Sequence, residues 1–258
     1  MIANDKLYCP FVYCHIMKIE VCVDNIESAI IAEQAGADRI ELCTALPLGG
    51  LTPHYSLIKV ATQKLSIPVY VMIRPRAGDF LFNADEQQMM IDDIEMAKQL
   101  GAAGVVIGAL TVNAEIDIAL TKMLMQSARG LDVTFHRAFD LCQDPLHALQ
   151  QLIELGCSRI LTSGQAATAA QGQTLLTQLV QQAQHKISIM AGAGINADNA
   201  LTIAQQTGIT ELHLSGKSYR PSKMQYQNSQ AAMGQNANED TQILVTDFAK
   251  INAVRKLF

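Results

Sequence analysis

QAGADRIEL, residues 34–42, reads as the last turn of a helix, a glycine that ends it, and the start of a buried strand. Glycine stands there because it accepts the left-handed backbone that terminates helices. The same order returns as QLGAAGVVI at 99–107, ELGCSRIL at 154–161 and QTGITELHL at 206–214. Gly36, Gly101, Gly156 and Gly208 stand 65, 55 and 52 residues apart, an imperfect repeat of one βαβα quarter.

Outward from these four points, eight β-rich runs alternate with segments of helical periodicity. The runs are 18–23, 38–43, 68–74, 104–110, 132–137, 158–163, 187–192 and 211–216. Helix starts are expected at Asp24, Asp85, Asp144 with Pro145, and Asn196, and a closing helix from about Thr241 to Lys256. Eight strands in four quarters predict an α/β fold, a single-domain (β/α)8 TIM-type barrel over residues 17–258, with a polar loop at 217–240. An open doubly wound sheet is the alternative; its GxGxxG signature after the first strand is absent. Residues 1–16 lack the basic start and apolar core of a signal peptide and are expected to form an extension outside the fold.

Of the 258 residues 49% are hydrophobic and 17% charged, which is globular composition with ample core material. The net charge of -5 and the lack of a basic block argue against nucleic-acid or anionic-membrane partners. No run of about eighteen apolar residues could span a bilayer. Six cysteines without framework spacing suit a reducing cytoplasm.

Barrel enzymes carry their chemistry at the C-terminal strand ends, and polar residues collect there. Glu20 and Cys22 end the first run, Glu41 and Cys43 the second, Arg74 and Arg76 the third, His136 and Arg137 the fifth, His213 and Ser215 the eighth. A strand period of two puts Glu20 with Cys22, Glu41 with Cys43 and Glu211 with His213. Taken singly, each has a plainer reading. A Glu–Arg pair can be structural, a free cysteine is usually a small buried residue, as Cys142 and Cys157 are read, and His213 reads equally as a core histidine.

The stretches EVCVD (20–24), ADRIELC (37–43), GGLTP (49–53), IRPRAGDF (73–80), VTFHRAFD (133–140), ILTSG (160–164) and MAGAGI (190–195) together resemble the CutC family, proteins named for copper homeostasis. The resemblance covers Met17 to the C-terminus and implies a (β/α)8 barrel, a cytoplasmic location, a homodimer or larger homo-oligomer, and a Cu(I) site at Cys22 and Cys43. Two thiolates on neighbouring strands suit Cu(I), although no CxxC exchange motif occurs and Cys9 and Cys14 read as incidental. His54 departs from the small hydroxyl residue usual after GGLTP, which puts helix capping there in doubt.

The leading expectation is therefore a Cu(I)-binding barrel. The alternative is a barrel lyase or isomerase acting on a small anionic metabolite, with Glu41, His136 and Glu20 as acid–base candidates and Arg74, Arg76 and Arg137 holding the anion. Ser163, Gly164, Gly192, Gly194 and Ser215 offer backbone N–H groups for a phosphate, though glycines there also serve simply to turn the chain. A partner-binding protein without chemistry is a third class, compatible with the polar loop.

Overall fold

The structure is a computed structural model that describes residues 17–226, 228 and 240–258. The expected extension at 1–16, with Cys9 and Cys14, and most of the polar loop lie outside the described residues.

Eight parallel strands close into a barrel in sequence order, β1 (Lys18–Val23), β2 (Arg39–Leu42), β3 (Val69–Met72), β4 (Gly104–Ile107), β5 (Asp132–Phe135), β6 (Arg159–Thr162), β7 (Ser188–Ala191) and β8 (Glu211–Leu214), with β8 returning to pair β1. The helices between and after them are α1 (Ile26–Gln34), α2 (Tyr55–Lys64), α3 (Ala84–Gln99), α4 (Ile118–Ser127), α5 (Pro145–Leu155), α6 (Gln173–Ala183), α7 (Ala200–Thr207) and α8 (Phe248–Arg255). The expected barrel is therefore the observed one, and each of the eight strands lies within its expected run. All four terminating glycines have positive φ, between 74° and 94°.

Strand alternation divides the core in two. Ile19, Val21, Ile40, Leu42, Val71 and Val105 face outward into one apolar layer beneath the helices. The opposite parity faces the barrel axis and carries buried charges among apolar and small residues. Arg39 of β2 bridges Glu20 of β1 and Glu211 of β8, and Arg159 of β6 also reaches Glu211, at 3.1 Å. Arg39 and Arg159 both lie over the Tyr70 ring of β3, at 5.3 and 5.1 Å, so side chains from opposite walls meet on the axis. Burying ions costs several kcal/mol each unless they are paired. Here two arginines face two glutamates, and Ser188 and Thr134 bind what remains, at 2.7 and 3.2 Å.

Local signals differ from expectation at several helix starts. Asn25, rather than Asp24, caps α1, its side chain accepting from Ser28 N at 2.8 Å. Asn83 caps α3 through a capping box with Glu86, and α7 starts after Asn199, three residues beyond Asn196. Asp144 and Pro145 open α5 as expected. His54 caps α2 after all, because its Nδ1 accepts from Leu57 N at 3.2 Å. The expected closing helix is half strand: Gln242–Thr246 forms β10, antiparallel to β9 (Lys217–Pro221), and only Phe248–Arg255 is helical. The β-branched Ile243, Val245 and Thr246 favour the extended form.

Candidate active site

The C-terminal ends of β1, β2, β3, β5 and β8 supply Cys22, Glu41, Arg74, His136, Arg137 and His213 to one cavity of about 190 Å3 at the barrel mouth. Met72, Phe80 and Leu161 form its apolar wall. A cavity of about 150 Å3 accepts benzene, so this one suits a compound of similar or slightly larger size.

Glu41 is 3% exposed, and its Oε2 accepts from the Cys43 thiol at 3.5 Å while Oε1 has no hydrogen-bond partner among the described residues. Burial raises its pKa. Cys43 is fully buried, and burial together with the neighbouring Glu41 charge pushes its thiol well above the usual range. Gly50 packs closely on Cys43, since a Cβ there would stand 3.0 Å from the sulfur, and the φ of +83° at Gly50 calls for glycine as well.

Arg74 lies 4.8 Å over the Phe80 ring. Its Nη1 donates to Leu48 O and Gly50 O, at 3.1 and 3.3 Å, and its Nη2 to Gly78 O at 2.9 Å. The turn that enters the GGLTP motif thus aims two carbonyls, of Leu48 and Gly50, at the guanidinium. The buried Nε is left without a partner among the described residues, and burial lowers the pKa of Arg74.

His136 is 4% exposed, and its Nδ1 accepts from Ala138 N at 3.1 Å. Its Nε2 is buried without a partner among the described residues. Burial and the Arg74 charge lower its pKa to about 3, which keeps the ring neutral. Gly108 makes room for it, since a Cβ at that position would lie 2.2 Å from Cε1.

His213 rests on Glu20, Nδ1 to Oε1 at 2.7 Å, and its Nε2 stands 3.8 Å from Glu41 Oε2. Burial opposes its charge, but Cys22, Glu41 and Glu20 outweigh that and raise its pKa well above the ordinary value. Burial likewise opposes ionisation of Glu20, yet Arg39 and His213 lower its pKa to about 2. Glu20, expected among the acid–base candidates, is fully buried, does not line the cavity and orients His213 from behind.

Other expected residues are placed elsewhere. Arg76 binds Glu86, Asp79 and the carbonyl of Leu81 and lies over Phe82 at 5.4 Å, which closes the loop before α3 and takes it away from the cavity. Arg137 donates to Asp140 at 2.8 Å and to Ser163 Oγ at 3.3 Å, but at the cavity edge it remains half-exposed. The loop after β6 already holds an anion, the carboxylate of Asp140. That group accepts from Thr162 Oγ1, Ser163 N, Ser163 Oγ and Gln165 N. Gly164 N donates to Thr162 Oγ1 and Gly192 N to Thr162 O. The N–H groups expected to cradle a phosphate there are thus engaged within the chain. Ser215 lies instead at a larger cleft of about 590 Å3 beside Asn196, Lys217 and Lys250, where Lys250 Nζ is bound to Lys217 O at 2.8 Å. Gly194 O accepts from Asn196 and Asn199 side chains.

Cys22, Glu41 and His213 offer ligand atoms within 4.8 Å of one another, the only such group among the described residues, and Cys43 is not part of it.

The CutC family profile matches residues 17–218. The chain belongs to the CutC family. It is 63% identical over 239 residues to a family protein CutC of Pasteurella multocida, covering 93% of this chain and 98% of that one. The counterpart from Histophilus somni is 59% identical over 242 residues, covering 94% and 99%. Among solved structures, CutC from Streptococcus agalactiae superposes with a TM-score of 0.75 at 36% identity, covering 77% of this chain and 98% of that one. The family match takes in the cavity residues named above. No helix among the described residues is long and apolar enough to cross a membrane.

Proposed function

We propose that the mouth cavity is the active site of a cytoplasmic barrel lyase or isomerase that moves a proton on a small anionic metabolite. The observation that carries this reading is the convergence of three buried polar atoms without partners among the described residues, Glu41 Oε1, Arg74 Nε and His136 Nε2, on residues that line one cavity. Leaving a buried polar group unsatisfied costs about 1–3 kcal/mol, and more for a charged one. Three at one cavity of ligand size point to a ligand that pairs them. Glu41, with its raised pKa and free oxygen, is the proton acceptor. Arg137 meets an anionic group at the rim.

A cation site is the second reading, favoured by the Cys22, Glu41 and His213 grouping with Glu20 bound behind the imidazole, an arrangement that orients metal-ligating histidines. The Streptococcus agalactiae relative is named for copper homeostasis. One thiolate, one imidazole and one carboxylate form a borderline donor set, whereas Cu(I) prefers soft sulfur. The Cys22 and Cys43 pair would supply two sulfurs only after Cys43 surrendered its proton and its bond to Glu41. That makes the cavity a poorer fit to Cu(I) than to a small organic molecule.

Two measurements separate the readings. Thermal-shift screening of small oxo and hydroxy acids should give a stabilising compound whose effect survives Cys22→Ser and Cys43→Ser and falls in Arg137→Ala. An anaerobic Cu(I) competition titration should give weak binding that these cysteine substitutions barely change. Tight one-to-one Cu(I) binding lost in both cysteine variants, with no stabilising compound, would reverse the order of the two readings.

A further inference from the structure

Proton abstraction from carbon leaves charge on a neighbouring oxygen, and some group must hold it. Resting on the proton-transfer reading above, we propose that His136 is a neutral hydrogen-bond donor whose Nε2–H, with Arg74 Nε, binds the carbonyl oxygen of the substrate. The substrate is then a ketone or aldehyde that loses a proton from the adjoining carbon, with a carboxylate or phosphate turned towards Arg137.

Geometry assigns the tautomer. A neutral imidazole carries one proton, and the nitrogen that accepts a hydrogen bond is the one without it. Nδ1 accepts from Ala138 N at 3.1 Å, so the proton sits on Nε2. The opposite tautomer would set Nδ1–H against the Ala138 N–H, donor against donor. General-base catalysis or metal ligation through Nε2 would each require that clash. The ring has no room to turn away: Phe80 lies 4.9 Å from its centroid, Phe135 lies 6.0 Å from it, and the backbone of Gly108 is close enough that even a methyl group would collide. A neutral donor of this kind serves as an electrophile in other barrel enzymes. The low pKa of His136 accords with it.

The step balances within the site. Glu41 takes the proton from the carbon next to the carbonyl, and the C–H electron pair becomes the new C=C bond. The carbonyl π pair moves to oxygen, where His136 Nε2–H and Arg74 Nε meet the negative charge. On a hydroxy-ketone the hydroxyl of the deprotonated carbon then passes its proton to the oxyanion and its oxygen becomes the new carbonyl, while the C=C pair takes a proton from Glu41 at the former carbonyl carbon. On a compound without that hydroxyl the C=C pair takes the proton back at the carbon that lost it and the oxyanion returns to a carbonyl. In either case the proton held on Glu41 can exchange with water first, and no external oxidant or reductant is needed.

The test follows C–H exchange in D2O by proton NMR over a panel of small 2-oxo acids, hydroxy-ketones and their phosphates, using the full chain. Wild type should exchange one position of at least one compound, and Glu41→Gln should abolish that exchange. His136→Gln places an amide N–H near the position of Nε2 without supplying a base, so it should retain exchange within about tenfold of wild type, while His136→Ala should lose about 100-fold or more. Equal loss in His136→Gln and His136→Ala, with both folded by circular dichroism, would overturn the donor role. In parallel, 15N-histidine NMR of wild type should show one ring as the Nε2–H tautomer, unchanged down to pH 5. An Nδ1–H tautomer, or a ring titrating near its ordinary value, would overturn the donor role whether or not exchange is seen. No exchange by wild type on any compound, with the Nε2–H ring present, would instead sink the proton-transfer reading and the substrate class that rests on it.

Discussion

Acidifying the protein from pH 6.5 to 4.5 should weaken it through His136, by an amount the burial of that ring sets. Its folded pKa is lowered to about 3 from the ordinary 6.5. Within that window the unfolded chain binds a proton that the folded chain refuses, so stability is full above 6.5 and falls as the pH drops. Each pH unit corresponds to about 1.4 kcal/mol, and two units to about 2.7 kcal/mol, a sizeable part of the ~5–15 kcal/mol that holds most domains together. Glu20, lowered to about 2 from 4.5, loses its contribution only below this window. His213, raised well above 6.5, contributes fully below 6.5 and loses its effect as the pH rises. Glu41 has the opposite slope, since a raised carboxyl takes its proton in the folded state first and gains stability on acidification. The comparison is therefore between wild type and His136→Gln, which differ in this one titrating group. Urea unfolding at pH 6.5, 5.5 and 4.5 should show the wild-type free energy falling relative to the variant by about 2–3 kcal/mol. A difference between the two proteins that stays constant across the three pH values would refute the claim that His136 is buried neutral.

Gly108→Ala should destabilise the fold by about 1–3 kcal/mol in chemical denaturation, because its methyl group would overlap the His136 ring. It should also raise the exposure of that ring, read as a 15N-histidine resonance that begins to titrate. Arg39→Met strips the shared partner from Glu20 and Glu211 and should cost about 3–5 kcal/mol in the same assay. A loss under about 1 kcal/mol would mean that water reaches the barrel axis and replaces the arginine. Arg76→Ala should leave ligand-induced thermal shifts unchanged, because its partners Asp79 and Glu86 close a loop away from the cavity.

The barrel was legible because its signals are local. Terminating glycines and period-two runs are written within a few residues, and each of the eight strands lies within its expected run. What escaped depends on contacts between distant residues. Arg39 and Glu41 share a strand face in DRIEL, but the ordinary barrel interior is apolar, and only closure of the barrel shows Arg39 between Glu20 and Glu211. Arg74 and Arg76 share parity as well, yet β3 ends at Met72, and beyond a strand end the two-residue period no longer sets direction. Only Arg74 lines the cavity. Asp140 is a further case. Twenty-three residues separate it from the Ser163 backbone it binds, so SGQ reads in sequence as an open anion loop when the chain fills it with its own carboxylate. His54 shows the converse, since an imidazole nitrogen does the work expected of a hydroxyl.

Two tiers of charge inside the barrel differ in how they are matched. In the lower tier Arg39 and Arg159 meet Glu20 and Glu211 directly, and serine and threonine hydroxyls satisfy further polar atoms. In the upper tier Arg74 is held by three backbone carbonyls, which are dipoles and leave its charge uncompensated. His136 stays neutral beside it, and Glu41 keeps one oxygen unpaired among the described residues. His213 links the tiers, one ring nitrogen on Glu20 and the other towards Glu41. A purely structural ion cluster would be expected to saturate both tiers, because an uncompensated buried charge costs several kcal/mol. The lower tier meets that expectation and the upper does not. The mismatch falls at the end of the barrel that opens to a cavity, where a ligand's oxygens can supply the missing partners.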